Sequence, residues 1–204
     1  MIKAIAFDWG GIFTENTFDS SAVRNLATLC NTTPEVIGQT YFPLMEHFEA
    51  GEFDFDSYYQ QFVEKSGFVV DAGVFRKTFL GSVREREAMF DVLNAIPRTY
   101  QVGMLSNNVE ILCDRVRDDP RFARVDRFVF SNEIKVRKPD VRSFEALLSV
   151  LETRANETVF IDDNPDNIRA CEAMGFKGLY LDTFENFLER WQNLLPEIPL
   201  PVRS

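Results

Sequence analysis

Apolar residues in this chain come in short unbroken runs, separated by longer stretches whose apolar positions recur at helical spacing. The runs lie at 2–7, 102–105, 128–130, 159–161 and 178–181. They are too short for helices and do not alternate with polar residues, so they suit strands buried on both faces. That pattern predicts a parallel sheet with helices on either side. Most of the runs stop at a polar residue: Asp8, Ser106, Ser131, Asp162 or Asp182. Open parallel sheets bind ligands beyond the carboxyl ends of their strands, so these polar ends are where chemistry is sought.

Between the first two runs, from about residue 15 to 98, there is no convincing strand. Amphipathic helical patterns cover 21–30, 34–41, 55–66 and 85–96 instead. A crossover between parallel strands needs only about a dozen residues, so most of this stretch is surplus. The surplus is expected to form a helical cap over the active edge, with 85–96 returning to the sheet layer. The division expected is 1–14 and 85–195 as core, 15–84 as cap, and 196–204, with its three prolines, as an extended tail leaving the fold.

Composition fits this picture, since 45% hydrophobic and 13% aromatic residues in 204 supply a real core and exclude disorder. The chain carries 22 basic and 32 acidic residues, a net charge of −10 that argues against nucleic acid or an anionic membrane as partner. Cys30, Cys113 and Cys171 are far apart and without ligand-type neighbours, which indicates reduced thiols rather than a disulfide framework or a zinc site. The N-terminal apolar run meets Asp8 before a signal-peptide core forms, and no run approaches a membrane span. A soluble cytoplasmic protein is expected, with monomer and homodimer both open.

Four strand ends carry candidate chemistry. Phe7-Asp8-Trp9-Gly10-Gly11 is a buried strand ending in a carboxylate, then glycines that permit a sharp turn and a close approach to a ligand. By itself Asp8 could equally cap that turn. Leu105-Ser106-Asn107-Asn108 offers a hydroxyl and amides to an anionic oxygen, though Ser-Asn also begins ordinary helices. Lys135-Val136-Arg137-Lys138-Pro139 gathers cations before a proline able to open the helix at 141–151. Ile161-Asp162-Asp163-Asn164-Pro165-Asp166-Asn167 puts two carboxylates side by side after a buried strand. Such a pair is costly unless a cation neutralises it, and hard oxygen donors suit magnesium.

Together, Asp8, Ser106, Lys138 and Asp162-Asp163 resemble, in order and placement, the four motifs of the haloacid dehalogenase-like hydrolase superfamily. The likeness spans nearly the whole chain, and the helical insertion resembles the subfamily with an α-helical cap. Within it the motifs are most similar to the phosphatase branch that includes α-glucose-1-phosphate phosphatase. The resemblance implies a Rossmann-like α/β core with a small all-helical cap, and a Mg²⁺-dependent phosphatase acting on a small soluble phosphate ester of sugar type. It implies Asp8 as nucleophile, forming an aspartyl phosphate. Ser106 would hold a phosphoryl oxygen, Lys138 would neutralise charge, and Asp162 would orient Lys138 or a metal-bound water. Metal ligands would be Asp8, Asp163 and the Gly10 carbonyl. Asn107 and Arg137 are expected at the substrate.

Two departures from the family pattern matter. Most phosphatases of the superfamily carry a second aspartate two residues after the nucleophile, as proton donor and acceptor; here it is Gly10, which keeps a carbonyl for metal but no acid. His47, the one histidine, and Glu15 are the candidates to replace it and to contact substrate. Lys135 replaces a common glycine and is expected to be solvated. Two other functions follow if these expectations fail: metal-free hydrolysis of a 2-haloacid, which the carboxylate pair disfavours, or a binding or regulatory protein with negligible turnover.

Overall fold

The computed structural model describes residues 1–15 and 17–200. Its strands are β1 (Ala4–Phe7), β2 (Gln101–Ser106), β3 (Arg127–Phe130), β4 (Thr158–Asp162) and β5 (Lys177–Tyr180). They form one parallel sheet in the order β3-β2-β1-β4-β5, with β1 at the centre. Phe7, the last residue of β1, is level with Met104 of β2 and with Ile161 of β4, so the three strands end within two residues of one another.

Alternation along the strands sends side chains to two apolar layers. Ala4, Ala6, Leu105, Val129 and Phe160 pack with Phe144, Leu147 and Leu151 of α8 (Val141–Leu151) and Cys171 of α9 (Pro165–Ala173). Ile5, Phe7, Met104, Val159 and Ile161 face the other way. There they meet α5 (Glu87–Ala95), α6 (Glu110–Asp118) and α10 (Phe184–Leu194) through Phe90, Leu112 and Trp191. A short α7 (Ser131–Ile134) follows β3. The α/β layering with helices on both faces is as the apolar runs indicate.

Between β1 and α5 the chain forms α1 (Phe18–Leu29), α2 (Pro34–Glu49), α3 (Phe55–Ser66) and α4 (Ala72–Leu80). Phe48 stacks on Tyr58 at 4.8 Å, Phe18 meets Phe79 edge-on at 4.8 Å, and Phe62 meets Phe75 at 5.0 Å. Tyr41, Phe48 and Phe55 are thus interior to this helical insert, while Phe42 is exposed. The pattern at 34–41 underestimates α2, which continues through Pro43 to Glu49. An internal proline costs about 3 kcal/mol. Burial of Tyr41, Leu44, Met45 and Phe48, at about 1.5–3 kcal/mol per large apolar side chain, outweighs it.

The insert leaves and rejoins the sheet layer at one place. Thr14 and Glu85 form an antiparallel bridge, and Arg86 accepts responsibility for the carbonyls of the turn: its guanidinium donates to Gly11, Ile12 and Thr14 at 3.1–3.2 Å. The tail departs from expectation. Rather than leaving the fold, 196–200 turn back so that Ile198 is fully buried and its carbonyl accepts from Trp191 Nε1 at 2.9 Å. Apolar Ile198 gains more inside than an extended strap would give it. Residues 201–204 of that expected tail lie outside the described residues. No helix among the described residues is long and apolar enough to cross a membrane.

Candidate active site

Because β2, β1 and β4 are neighbours ending within two residues of one another, the residues just beyond them share one edge. Asp8 leaves β1 with its N–H bonded to the Ile161 carbonyl at 2.8 Å. Asn107, just past β2, grips the backbone of Lys138 on both sides, accepting from its N–H at 2.8 Å and donating to its carbonyl at 3.0 Å. With its backbone so fixed, Lys138 runs inward at only 3% exposure. Its Nζ lies 2.9 Å from Asp8 Oδ1 and 2.7 Å from Asp162 Oδ2.

The adjacent carboxylates differ in what they have left to offer. Asp162 is fully buried with both oxygens engaged, by Lys138, by the Asn164 N–H at 2.8 Å and by Asn167 Nδ2 at 3.0–3.1 Å. Asp163 takes no hydrogen bond from another side chain among the described residues. One oxygen each of Asp8, Asp162 and Asp163 lies within 4.8 Å of the others. Burial, with the charges of Asp8 and Asp162, pushes Asp163 up to about 7. Burial also lifts Asp8 to about 6, against the pull of Lys138 and with a push from Asp162. Burial works against the Lys138 ammonium, yet Asp162 and Asp8 together hold it above the ordinary lysine value. One lysine therefore does not neutralise three carboxylates, and the hard oxygens of Asp8 and Asp163 fit a divalent cation such as magnesium.

Gly10 and Gly11 follow Asp8 with different duties. Gly11 has φ +72°, and a Cβ there would fall 1.9 Å from Asp163 Oδ2, so this close approach requires glycine. A Cβ at Gly10 meets nothing within 4 Å. Above this edge lies a cavity of about 470 Å³ that Gly10 helps to line, together with Asp8, Asn107, Arg137, Lys138 and Asp163. Ser106 is buried beside Asp8, where its hydroxyl helps to lower that carboxyl's pKa, and it does not line the cavity. Asn108 does, with its Nδ2 buried and unpartnered.

His47 is not brought to this cavity. It is half exposed on α2, with Nδ1 2.8 Å from Glu52 Oε2. Glu15 is exposed and does not line that cavity; it lines an adjoining hollow with Arg86 and Asp182, whose wall shares Thr17 and Asp163 with the cavity. Lys135 is exposed, as expected, and its ammonium also donates to the Gly51 carbonyl of the insert at 2.7 Å. The sequence reading missed two acids in the cavity wall, Asp19 of α1 and Glu49 of α2. Asp19 accepts from Tyr41 Oη at 2.7 Å; Glu49 is paired with Arg137 at 2.7 Å. Their one signal was position, Asp19 soon after the first motif and Glu49 at the end of an apolar helical stripe.

Residues 2–175 match the family model for haloacid dehalogenase-like hydrolase. The chain belongs to that family. This hydrolase is 30% identical, over 88% of its length and 89% of the relative's, to a sesquiterpene phosphatase of Aspergillus oryzae. It is 24% identical to a D-ribitol-5-phosphate phosphatase of Bacteroides thetaiotaomicron, over 87% of its own chain and 90% of the other. Its fold matches a family enzyme from Bacteroides thetaiotaomicron, solved with magnesium and inorganic phosphate, at a TM-score of 0.78 and 19% identity, covering 96% of this chain and all of that one (100%).

Proposed function

We propose that this hydrolase is a magnesium-dependent phosphomonoesterase working through an aspartyl phosphate on Asp8. The observation that carries the reading is Lys138 held between Asp8 and Asp162 while the Asp163 carboxylate stays free beside them. Asp8 attacks phosphorus in line with the leaving oxygen. Lys138 keeps Asp8 ionised and offsets charge on the phosphoryl group. Asp162, saturated by hydrogen bonds, holds Lys138 in place. The unpartnered Asn108 amide, in the cavity wall, would donate to a phosphoryl oxygen, while Ser106, buried beside Asp8 and outside the cavity wall, acts on that carboxyl. Asp8, Asp163 and the Gly10 carbonyl would hold magnesium, which supplies positive charge against the carboxylates and the phosphoryl oxygens. The helical insert serves as a cap that selects the leaving group.

A small polyol or sugar phosphate suits the cavity's size and its Asp19, Glu49 and Arg137. Trp9, Phe18, Met45 and Leu112 on the same wall favour a second reading, the phosphate of an apolar alcohol, in keeping with the name of the Aspergillus relative. The test is phosphate release from sugar, polyol, prenyl and aryl phosphates with and without Mg²⁺. Release that needs Mg²⁺ and falls to background in Asp8→Asn is expected. Metal-independent release, or release that persists in Asp8→Asn, refutes the mechanism; the ranking of esters decides between the two substrate classes.

A further inference from the structure

Expelling an alkoxide from phosphorus requires a proton, and the cavity wall contains six ionisable side chains: Asp8, Asp19, Glu49, Arg137, Lys138 and Asp163. Asp8 attacks, Lys138 is locked between two carboxylates, and Asp163 belongs to the cation cluster. A guanidinium does not surrender its proton. Asp19 and Glu49 remain. Both Arg137 bonds to Glu49, from Nε at 2.8 Å and Nη2 at 2.7 Å, fall on Oε2, leaving Oε1 without a hydrogen-bond partner among the described residues. The Glu49 carbonyl is pinned from the other side by Ser131 Oγ at 2.5 Å. Glu49 is thereby tied to the loop that also carries Lys138, whereas among the described residues Asp19 takes its side-chain hydrogen bond from within the insert, from Tyr41.

Resting on the phosphatase reading above, we propose that Glu49 is the catalytic acid and base of this hydrolase. As the Asp8 oxygen bonds to phosphorus and the P–O bond to the alcohol breaks, the Glu49 carboxyl gives its proton to the departing oxygen. In the second half, water attacks phosphorus while Glu49 takes its proton, the Asp8–phosphorus bond breaks, and inorganic phosphate leaves. Both groups return to their starting states. Burial and the charge of Asp19, against Arg137, set Glu49 at about 7, and Asp8 adds a smaller push. The other titratable groups that feel it are Tyr41 and Tyr58, both held above the ordinary tyrosine value by burial.

The test compares wild type, Glu49→Gln and Asp19→Asn, with Mg²⁺, on 4-nitrophenyl phosphate and on glycerol phosphate. Nitrophenolate leaves without a proton and glycerol does not, so Glu49→Gln should lose about 10²–10⁴-fold on glycerol phosphate. On the aryl ester it should keep a burst of about one nitrophenolate per active site, followed by slow discharge. Its pH profile for the alkyl ester should also lose the limb near neutrality. Equal losses on both esters in the first turnover overturn the proposal, as does a leaving-group-selective loss in Asp19→Asn instead. Should Glu49→Gln fail to fold, the wild-type burst rate across phenyl phosphates of rising leaving-group pKa decides: a shallow dependence is expected and a steep one refutes. No release by wild type from any ester is a different result, and defeats the phosphatase reading itself.

Discussion

Gly10 and Gly11 stand side by side after Asp8, yet only Gly11 is held to its identity by the surrounding atoms. Left-handed backbone costs an alanine about 1–2 kcal/mol, and at Gly11 its methyl would also displace the Asp163 carboxylate. Gly11→Ala should therefore lower Tm by about 2–8 °C and weaken magnesium binding. Gly10→Ala, opening into free space, should stay within about 0.5 kcal/mol of wild type. Calorimetry and a magnesium titration of the two variants check this, and equal behaviour would contradict it. At this scale the sequence was informative where a residue sits at a strand end, as Asp8, Asp162 and Asp163 do, because strand ends are visible as breaks in apolar runs; Lys138, eight residues past β3 in the loop before α8, was marked instead by the cation run ahead of Pro139. The sequence marked Glu49 and Asp19 by position alone, because both reach the cavity through the way α1 and α2 pack over the sheet edge, which no spacing in the chain shows.

Among the elements, the join between insert and sheet layer depends most on one side chain. Arg86 satisfies carbonyls of the 11–14 turn that also positions Gly10 and Gly11 beside the carboxylates. Hydrogen bonds from a charged donor contribute about 1.5–3 kcal/mol each, partly shared when one guanidinium makes several. Arg86→Leu should lose at least about 2 kcal/mol in urea unfolding and bind magnesium more weakly, and Arg86→Lys should restore only part, since an ammonium lacks the planar fork. Unchanged stability in Arg86→Leu would show that the turn holds itself. Nothing in the spacing of Arg86 marks it, as it lies 72 residues from Thr14. The elements themselves were more legible: 55–66 and 141–151 match α3 and α8 because their apolar stripes are clean. Polar α6, with a stripe of only Leu112, Cys113 and Val116, gave no comparable signal.

Over the whole molecule, the uncompensated carboxylates couple folding to pH and metal. Asp8 at about 6 and Asp163 at about 7 lie above the ordinary aspartate value of 3.8, so the folded chain retains protons that the unfolded chain has released. Their contribution to stability is full below about pH 4 and is lost as pH rises through 6 and 7. A magnesium ion bound as proposed would take the place of those protons, so the gain in Tm on adding it should be small at about pH 5 and large at about pH 8. At a hundredfold excess over Kd, binding contributes about 2.7 kcal/mol, or about 5–10 °C for a chain of this size. Scans at both pH values with and without Mg²⁺ test the difference, and an increment independent of pH would refute it. The Thr14–Glu85 bridge has a consequence for engineering. Because the two ends of the insert emerge hydrogen-bonded to one another, a foreign helical module grafted at this seam should cost hardly any closure entropy. Such a graft would carry Glu49 away with α2, so a replacement module would have to bring its own proton donor together with its own choice of alcohol.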